Sequence, residues 1–194
     1  MDTLFKKIKP HFDRYKASVD VEFEIRFGKV NNKIFDTNVG RDIFTRISES
    51  LEKYTGWENV KMSNTSVYYK DKVRVIVDDD NDSSITMTKT PLVKDNLVLQ
   101  GKPLDVRFAF SKEEPCGEQI DDVMEYVRVK KRKSYIRKNL SIDMTVVSGQ
   151  SEDPDDEEDQ RFEIELEIVN LQKVRDDIEL YNIIHKVHNI LECL

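Results

Sequence analysis

Val21-Glu22-Phe23-Glu24-Ile25-Arg26-Phe27-Gly28 puts Val21, Phe23, Ile25 and Phe27 on one parity and Glu22, Glu24 and Arg26 on the other. Successive side chains of a strand point to opposite faces, so this stretch is a strand with one apolar face and one ionic face. The pattern recurs along the chain. Phe162, Ile164, Leu166 and Ile168 oppose Glu163, Glu165 and Glu167, and Leu104, Val106, Phe108 and Phe110 oppose Asp105, Arg107, Ser111 and Glu113. Val127 and Val129 oppose Arg128, Lys130 and Arg132, while Leu140, Ile142, Met144 and Val146 oppose Ser141, Asp143 and Thr145. A half-buried sheet ordinarily shows water a loose polar mixture. Here the polar face is ionic, and in several strands it is of one sign.

Two architectures accommodate such strands: an open sheet showing its charges to bulk water, or a closed barrel with the charges lining a lumen. Carboxylates ~7 Å apart on one strand repel each other unless a cation or opposed bases offset them. Acidic and basic strands in one chain therefore favour opposed walls of a tunnel. The expected fold is α+β, mainly β: a closed eight-stranded antiparallel β-barrel with flanking helices. Helical spacing of apolar residues marks 3–17, 41–54 and 171–194, and alternation marks strands at 20–28, 66–79, 84–89, 104–111, 124–136, 140–147 and 161–169. The sequence has no internal repeat and no long linker, so 1–194 reads as one domain, with 148–160 as a disordered acidic loop.

Charge location says more than the total. The 194 residues carry a formal net charge of -7, with 36% charged residues. Seven of the eight residues Glu152–Asp159 are acidic, and without them 31 acids balance 31 bases. Arg128–Lys138 holds seven bases in eleven residues, so an overall acidic chain still offers a polyanion a basic wall. No apolar run approaches a membrane span, and the first sixteen residues lack a secretory apolar core, so the expected setting is intracellular. Cys116 and Cys193 are too few for a disulfide framework and read as small hydrophobes.

Glu22-x-Glu24 and Glu163-x-Glu165-x-Glu167 supply the oxygen ligands that hard divalent cations take. Arg128, Lys130 and Arg132 share a face, with Arg74 and Arg107 on polar faces of other strands; guanidinium forks match phosphate oxygens. Aromatics flank this basic row at Tyr126 and Tyr135 rather than alternating with it, unlike a single-strand stacking platform. There is no P-loop, and His185 with His188 is a weak metal signal. A divalent-metal site beside a basic row points to a short, dense polyphosphate.

These motifs resemble the metal-dependent RNA triphosphatases of fungi, protozoa and large DNA viruses, within the triphosphate tunnel metalloenzymes. The first motif is similar to Glu22–Gly28, and the last, Glu-x-Glu-x-Glu, to Glu163–Glu167. Between them, Asp105-Val106-Arg107 with Ser111–Pro115, Arg128–Tyr135 and Asp143-Met144-Thr145 resemble the intervening strands in order. The resemblance implies hydrolysis of the γ-phosphate of 5′-triphosphate RNA in the first step of mRNA capping, with Mg or Mn as the divalent cation. It implies Glu22, Glu24 and Glu167 as metal ligands, with Glu165 and Asp143 holding metal-bound waters. Arg74, Lys130 and Arg132 would grip the γ-phosphate, and Glu113 would orient or deprotonate the attacking water. Arg26, Arg107 and Arg128 would support the charge balance, and Glu163 would order its basic neighbours. Lys89 is a further tunnel candidate, but it shares parity with Ile85 and Met87 and points outward unless a bulge intervenes. Ser141 departs from members that carry a basic residue there.

The resemblance also implies NTPs as side substrates with Mn, a guanylyltransferase partner, no membrane, and a nuclear or infected-cell cytoplasmic setting; the short length fits a viral form. Two rivals remain: a tunnel phosphohydrolase for inorganic or thiamine triphosphate, whose Glu-x-Glu-x-Lys start differs at Arg26, and a non-catalytic RNA-binding module.

Overall fold

The computed structural model describes residues 1–117, 126–149 and 160–194. The expected acidic loop 148–160, with its run Glu152–Asp159, lies almost wholly outside the described residues. Nine strands are described: β1 (Val21–Asn31), β2 (Ile34–Asp36), β3 (Asn59–Lys70), β4 (Val73–Asp78), β5 (Ser83–Leu97), β6 (Asp105–Pro115), β7 (Tyr126–Arg137), β8 (Leu140–Ser148) and β9 (Arg161–Ile168). Their order is β2-β1-β6-β5-β4-β3-β7-β8-β9, and β1 also pairs with β9, so eight strands close into a barrel and β2 is an extra strip. Every pairing is antiparallel.

The apolar parity of the charged strands faces outward, under four helices: α1 (Asp2–Tyr15), α2 (Arg41–Lys53), α3 (Asp177–Ile184) and α4 (Lys186–Leu191). Phe23, Ile25 and Phe27 of β1, Phe108 and Phe110 of β6, and Ile164 and Leu166 of β9 join Leu4, Ile8, Ile47 and Leu180 of the helices in one core. Burial of such side chains stabilises by roughly 1.5–3 kcal/mol each. Gly28 lets β2 fold over the barrel end, because a Cβ there would stand 2.1 Å from the Asp36 carbonyl oxygen.

Several sequence boundaries move, and the strand expected at 84–89 runs from Ser83 to Leu97. The expected strand 66–79 is a hairpin, turning at Asp71-Lys72 with Asp71 at φ 51°, a left-handed conformation that aspartate tolerates. Its first half reaches back to Asn59 through Asn59–Thr65, a stretch whose two apolar residues, Val60 and Met62, are both exposed. The expected helix 171–194 begins later, at Asp177, because the Asp176 side chain accepts from the Glu179 backbone N–H at 2.8 Å and fixes the N-cap there. Before it lies only a 3-10 turn, Leu171–Lys173, and α3 and α4 meet at His185.

Candidate active site

The ionic parity of the strands faces the lumen, and the register decides which charges meet. Glu24 pairs with Glu167 and Arg26 with Glu165 across β1–β9, while Asp143 pairs with Glu165 and Thr145 with Glu163 across β8–β9. These groups are inside: Glu24 is 7% exposed, Asp143 3%, Glu163 5% and Glu165 7%. Buried charge persists only when paired or hydrogen-bonded, and the pairing here is dense. Arg132 donates to Asp143 at 3.1 Å, Glu165 at 3.2 Å and the Thr145 hydroxyl at 3.1 Å. Arg26 donates from Nη2 to Glu24 at 3.1 Å and lies 2.9 Å from Glu165; its Nε is also 2.9 Å from Glu24 but is not aimed at it. Arg128 donates to Glu163 at 2.8 Å. The basic row of β7 and the acidic row of β9 are thus separated only by β8 and meet around the wall, rather than facing each other squarely across the lumen.

Lys89 corrects its sequence reading. It enters the lumen, 2.9 Å from Glu22, 3.0 Å from Glu113 and 3.8 Å from Glu24, and Arg74 also pairs with Glu113. The parity of Ile85, Met87 and Lys89 is the lumen parity in the first half of β5. A register shift between Pro91 and Val93 then switches faces, so that Val93 and Leu97 pack on the core while Lys94 and Asn96 turn inward. Proline, which has no N–H to donate to a ladder, is tolerated within a sheet at such a break. Arg107 stands apart from the carboxylates: its Nε donates to Asn96 Oδ1 at 2.8 Å, and its guanidinium lies 4.5 Å over the Phe35 ring. Ser141, in place of a basic residue, donates to Asp143.

Electrostatics divide the lumen. Burial pushes Glu22 up to about 9, helped by Glu113 and Glu24, and pushes Glu167 up to about 7, helped by Asp143. Burial also acts on Glu24, but Arg26 and Lys89 outweigh it and hold that carboxyl down at about 2. At Glu113 burial is outweighed by a hydrogen bond with Glu22 and by Lys89 and Arg74, which hold it at about 2. Burial lowers Lys130 to about 8, and Arg132, Arg128 and Arg26 repel its proton while Glu165 opposes them. Lys130 makes no ion pair among the described residues. One end of the lumen therefore has surplus carboxylates, and beside it stands a cation short of anions.

Sequence reasoning missed Thr37, which donates to Glu163 at 2.9 Å from the link after β2. The signal is Asp36-Thr37-Asn38, whose side chains fold the link: Asp36 accepts from Asn38 N–H at 3.0 Å, and Asn38 accepts from Gly40 N–H at 3.1 Å and from Phe162 N–H at 3.0 Å. Among the described residues no three His, Cys, Asp or Glu side chains already stand together as a metal-ligand set; Lys89 sits between Glu22, Glu24 and Glu113.

A closed antiparallel barrel whose interior carries mutually paired carboxylates, guanidinium groups and ammonium groups defines a tunnel-type phosphohydrolase of the RNA triphosphatase kind. Residues 40–189 match the family model "mRNA capping enzyme, beta chain", and the chain belongs to that family, as a hydrolase acting on RNA 5′-triphosphate ends. The fold is similar to the S. pombe Pct1 RNA triphosphatase, with a TM-score of 0.82 at 16% identity, covering 97% of this chain and 92% of that one. It is also similar to the RNA triphosphatase domain of a trifunctional mimivirus mRNA capping enzyme, with a TM-score of 0.68 at 18% identity, covering 100% and 96%. No curated protein matches the sequence. Among the described residues no helix is long and apolar enough to cross a membrane.

Proposed function

We propose that this chain removes the γ-phosphate of 5′-triphosphate RNA inside the lumen, leaving the diphosphate end that a guanylyltransferase caps, and that NTPs with Mn are side substrates. The observation that carries this reading is Lys130: a lumen ammonium without an ion pair among the described residues, its proton affinity lowered to about 8 by burial and by Arg132, Arg128 and Arg26 against the pull of Glu165. A triphosphate supplies the missing anion.

Arg74, Lys130 and Arg132 would hold the γ-phosphate, with Lys89 close by. Water attacks phosphorus, the bridging bond to the β-phosphate breaks, and the products are inorganic phosphate and an RNA diphosphate. Phosphoryl transfer asks mainly for in-line positioning and charge neutralisation. Glu113, held ionised at about 2 by its partners, serves best as an acceptor that aims the water; its low affinity for a proton makes it a weak base.

The chemistry of the donor set fits a divalent cation: Glu22 and Glu24 already converge on one positive centre, the Lys89 ammonium. Burial, and after it the neighbouring carboxylates, disfavours the charged forms of Glu22 and Glu167, a cost that a bound cation would offset. Glu22, Glu24 and Glu167 would hold Mg or Mn, with Glu165 and Asp143 holding its waters, and Arg26, Arg107, Arg128 and Glu163 completing the charge balance. Such a cation neutralises charge on phosphate oxygens.

The test is phosphate release from triphosphate-ended RNA, inorganic tripolyphosphate and ATP, each with and without added Mg or Mn. Metal-dependent release with RNA preferred supports the reading. Faster release from tripolyphosphate than from RNA moves the chain to the inorganic-triphosphate branch, and salt-sensitive RNA binding without release makes it a binding module.

A further inference from the structure

The basic row of β7 lacks interleaved aromatics along the strand, yet the register supplies one across strands. Tyr126 pairs with Tyr69 of β3, and the rings stack with centroids 4.6 Å apart and planes 8° from parallel. Tyr126, Arg128, Lys130 and Arg132 share the lumen parity, so the stack continues the row of cations outward, about 13 Å along the strand from Lys130. Tyr126 is 49% exposed. It opens onto a cavity of about 350 Å³ at this mouth, lined also by Arg26, Thr37, Arg128, Arg161 and Glu163, within the size range of small-ligand pockets.

On the other side of the mouth, β5 and β6 turn Lys94 and Arg107 inward. Neither makes an ion pair with a carboxylate among the described residues, and each is made less basic by burial and by the nearby Arg26. Among the described residues this end of the barrel thus carries an aromatic stack and two cations without ion pairs, Lys94 and Arg107, whereas the other end carries Glu22, Glu113, Asp143 and Glu167.

We propose that this mouth is the subsite for the 5′-terminal nucleotide of the substrate, its base lying on Tyr126 backed by Tyr69 and the following phosphodiester meeting Lys94 and Arg107. The inference rests on the triphosphatase reading and deepens it, because it explains how one tunnel favours RNA ends over a bare polyphosphate. Base–aromatic stacking is tolerant of base identity, so the four 5′ nucleotides should be accepted alike.

The competing view is that the two tyrosines only close the end of the β3–β7 ladder as a cross-strand pair. Kinetics of the full chain decide between them. In Tyr126→Ala, KM for a 5′-triphosphate oligonucleotide should rise about 5- to 150-fold, with kcat and the Ki of inorganic tripolyphosphate little moved, and Tyr126→Phe should restore KM. Lys94→Gln should raise KM for the oligonucleotide and not for ATP, which has no following phosphodiester. An unchanged KM in Tyr126→Ala, or an equal rise in the tripolyphosphate Ki, overturns the subsite. Should the wild type release no phosphate, the triphosphatase reading fails by itself. Fluorescence anisotropy of the labelled oligonucleotide then still tests the subsite: weaker binding to Tyr126→Ala, restored in Tyr126→Phe, upholds it, and equal binding overturns it.

Discussion

The barrel has two unlike walls. Strands β1, β6, β8 and β9 pack their outer faces into the helix core, and their lumen faces carry the buried charges Glu24, Asp143, Glu163 and Glu165. Strands β3, β4 and β5 have Val67 as their one fully buried hydrophobic residue, and Met62 is 67% exposed on the outside. Yet this second wall delivers Arg74 and Lys89 to Glu113 and Glu22. The contrast teaches where rigidity sits. Carboxylates that must share a position within a few ångströms stand on strands held from behind by packed side chains, while the other wall contributes long cationic side chains that reach across and adapt.

Substitutions on the two walls should break or sharpen this contrast. The largest effect is expected in the lumen of the buttressed wall, where Glu24→Ala should lower kcat for phosphate release by at least about 10²–10³, the scale for deleting one preorganised electrostatic contact. In the same wall, Glu165→Ala strips a carboxylate from both Arg26 and Arg132 and should cost about 3–5 kcal/mol in denaturant unfolding, because a buried pair loses one partner. Phe110→Ala should cost a similar 3–5 kcal/mol through its cavity. Val75→Ala, on the outer face of the open wall, should cost only about 1 kcal/mol. Equal losses for Phe110→Ala and Val75→Ala would erase the distinction.

The smallest effect concerns pH. The folded pKa of Lys130, about 8, lies below its ordinary 10.5, so its charged form is the one folding disfavours. The lysine therefore destabilises the apo protein below about pH 8, and this penalty fades as pH rises toward 10.5. An anionic ligand has the opposite need, since it favours the protonated ammonium. Affinity for tripolyphosphate should therefore fall as pH rises past about 8, and Lys130→Arg, which stays charged, should flatten that slope. A titration of Kd against pH for both proteins checks it.

The same contrast governed what the sequence made legible. Alternation of Phe and Glu announced β1 and β9 because their two faces meet opposite environments, a packed core and a charged lumen. The early part of β3, Asn59–Thr65, is wet or partly wet on both faces, so its alternation stops after Val60 and Met62 and is too short to mark a strand. Lys89 reads as outward because it shares parity with Ile85 and Met87, and on this open wall those apolar residues stand on the lumen face; the irregularity between Pro91 and Val93 lies beyond Lys89 and reverses only the rest of β5. Thr37 acts from a link whose position is fixed by side-chain hydrogen bonds, which leave no hydrophobic pattern. The charged residues of the first, basic and last motifs do gather in one lumen, and Arg107 joins it through Asn96 and Phe35 rather than through a carboxylate.

The most direct test follows label from RNA carrying a marked γ-phosphate in one sample and a marked α-phosphate in another, with Glu22→Ala checked for an unaltered thermal unfolding curve. The expected result is release of the γ label alone, dependent on added divalent cation and nearly abolished in Glu22→Ala. Undiminished γ-phosphate release by folded Glu22→Ala would contradict the placement of the chemistry in this lumen.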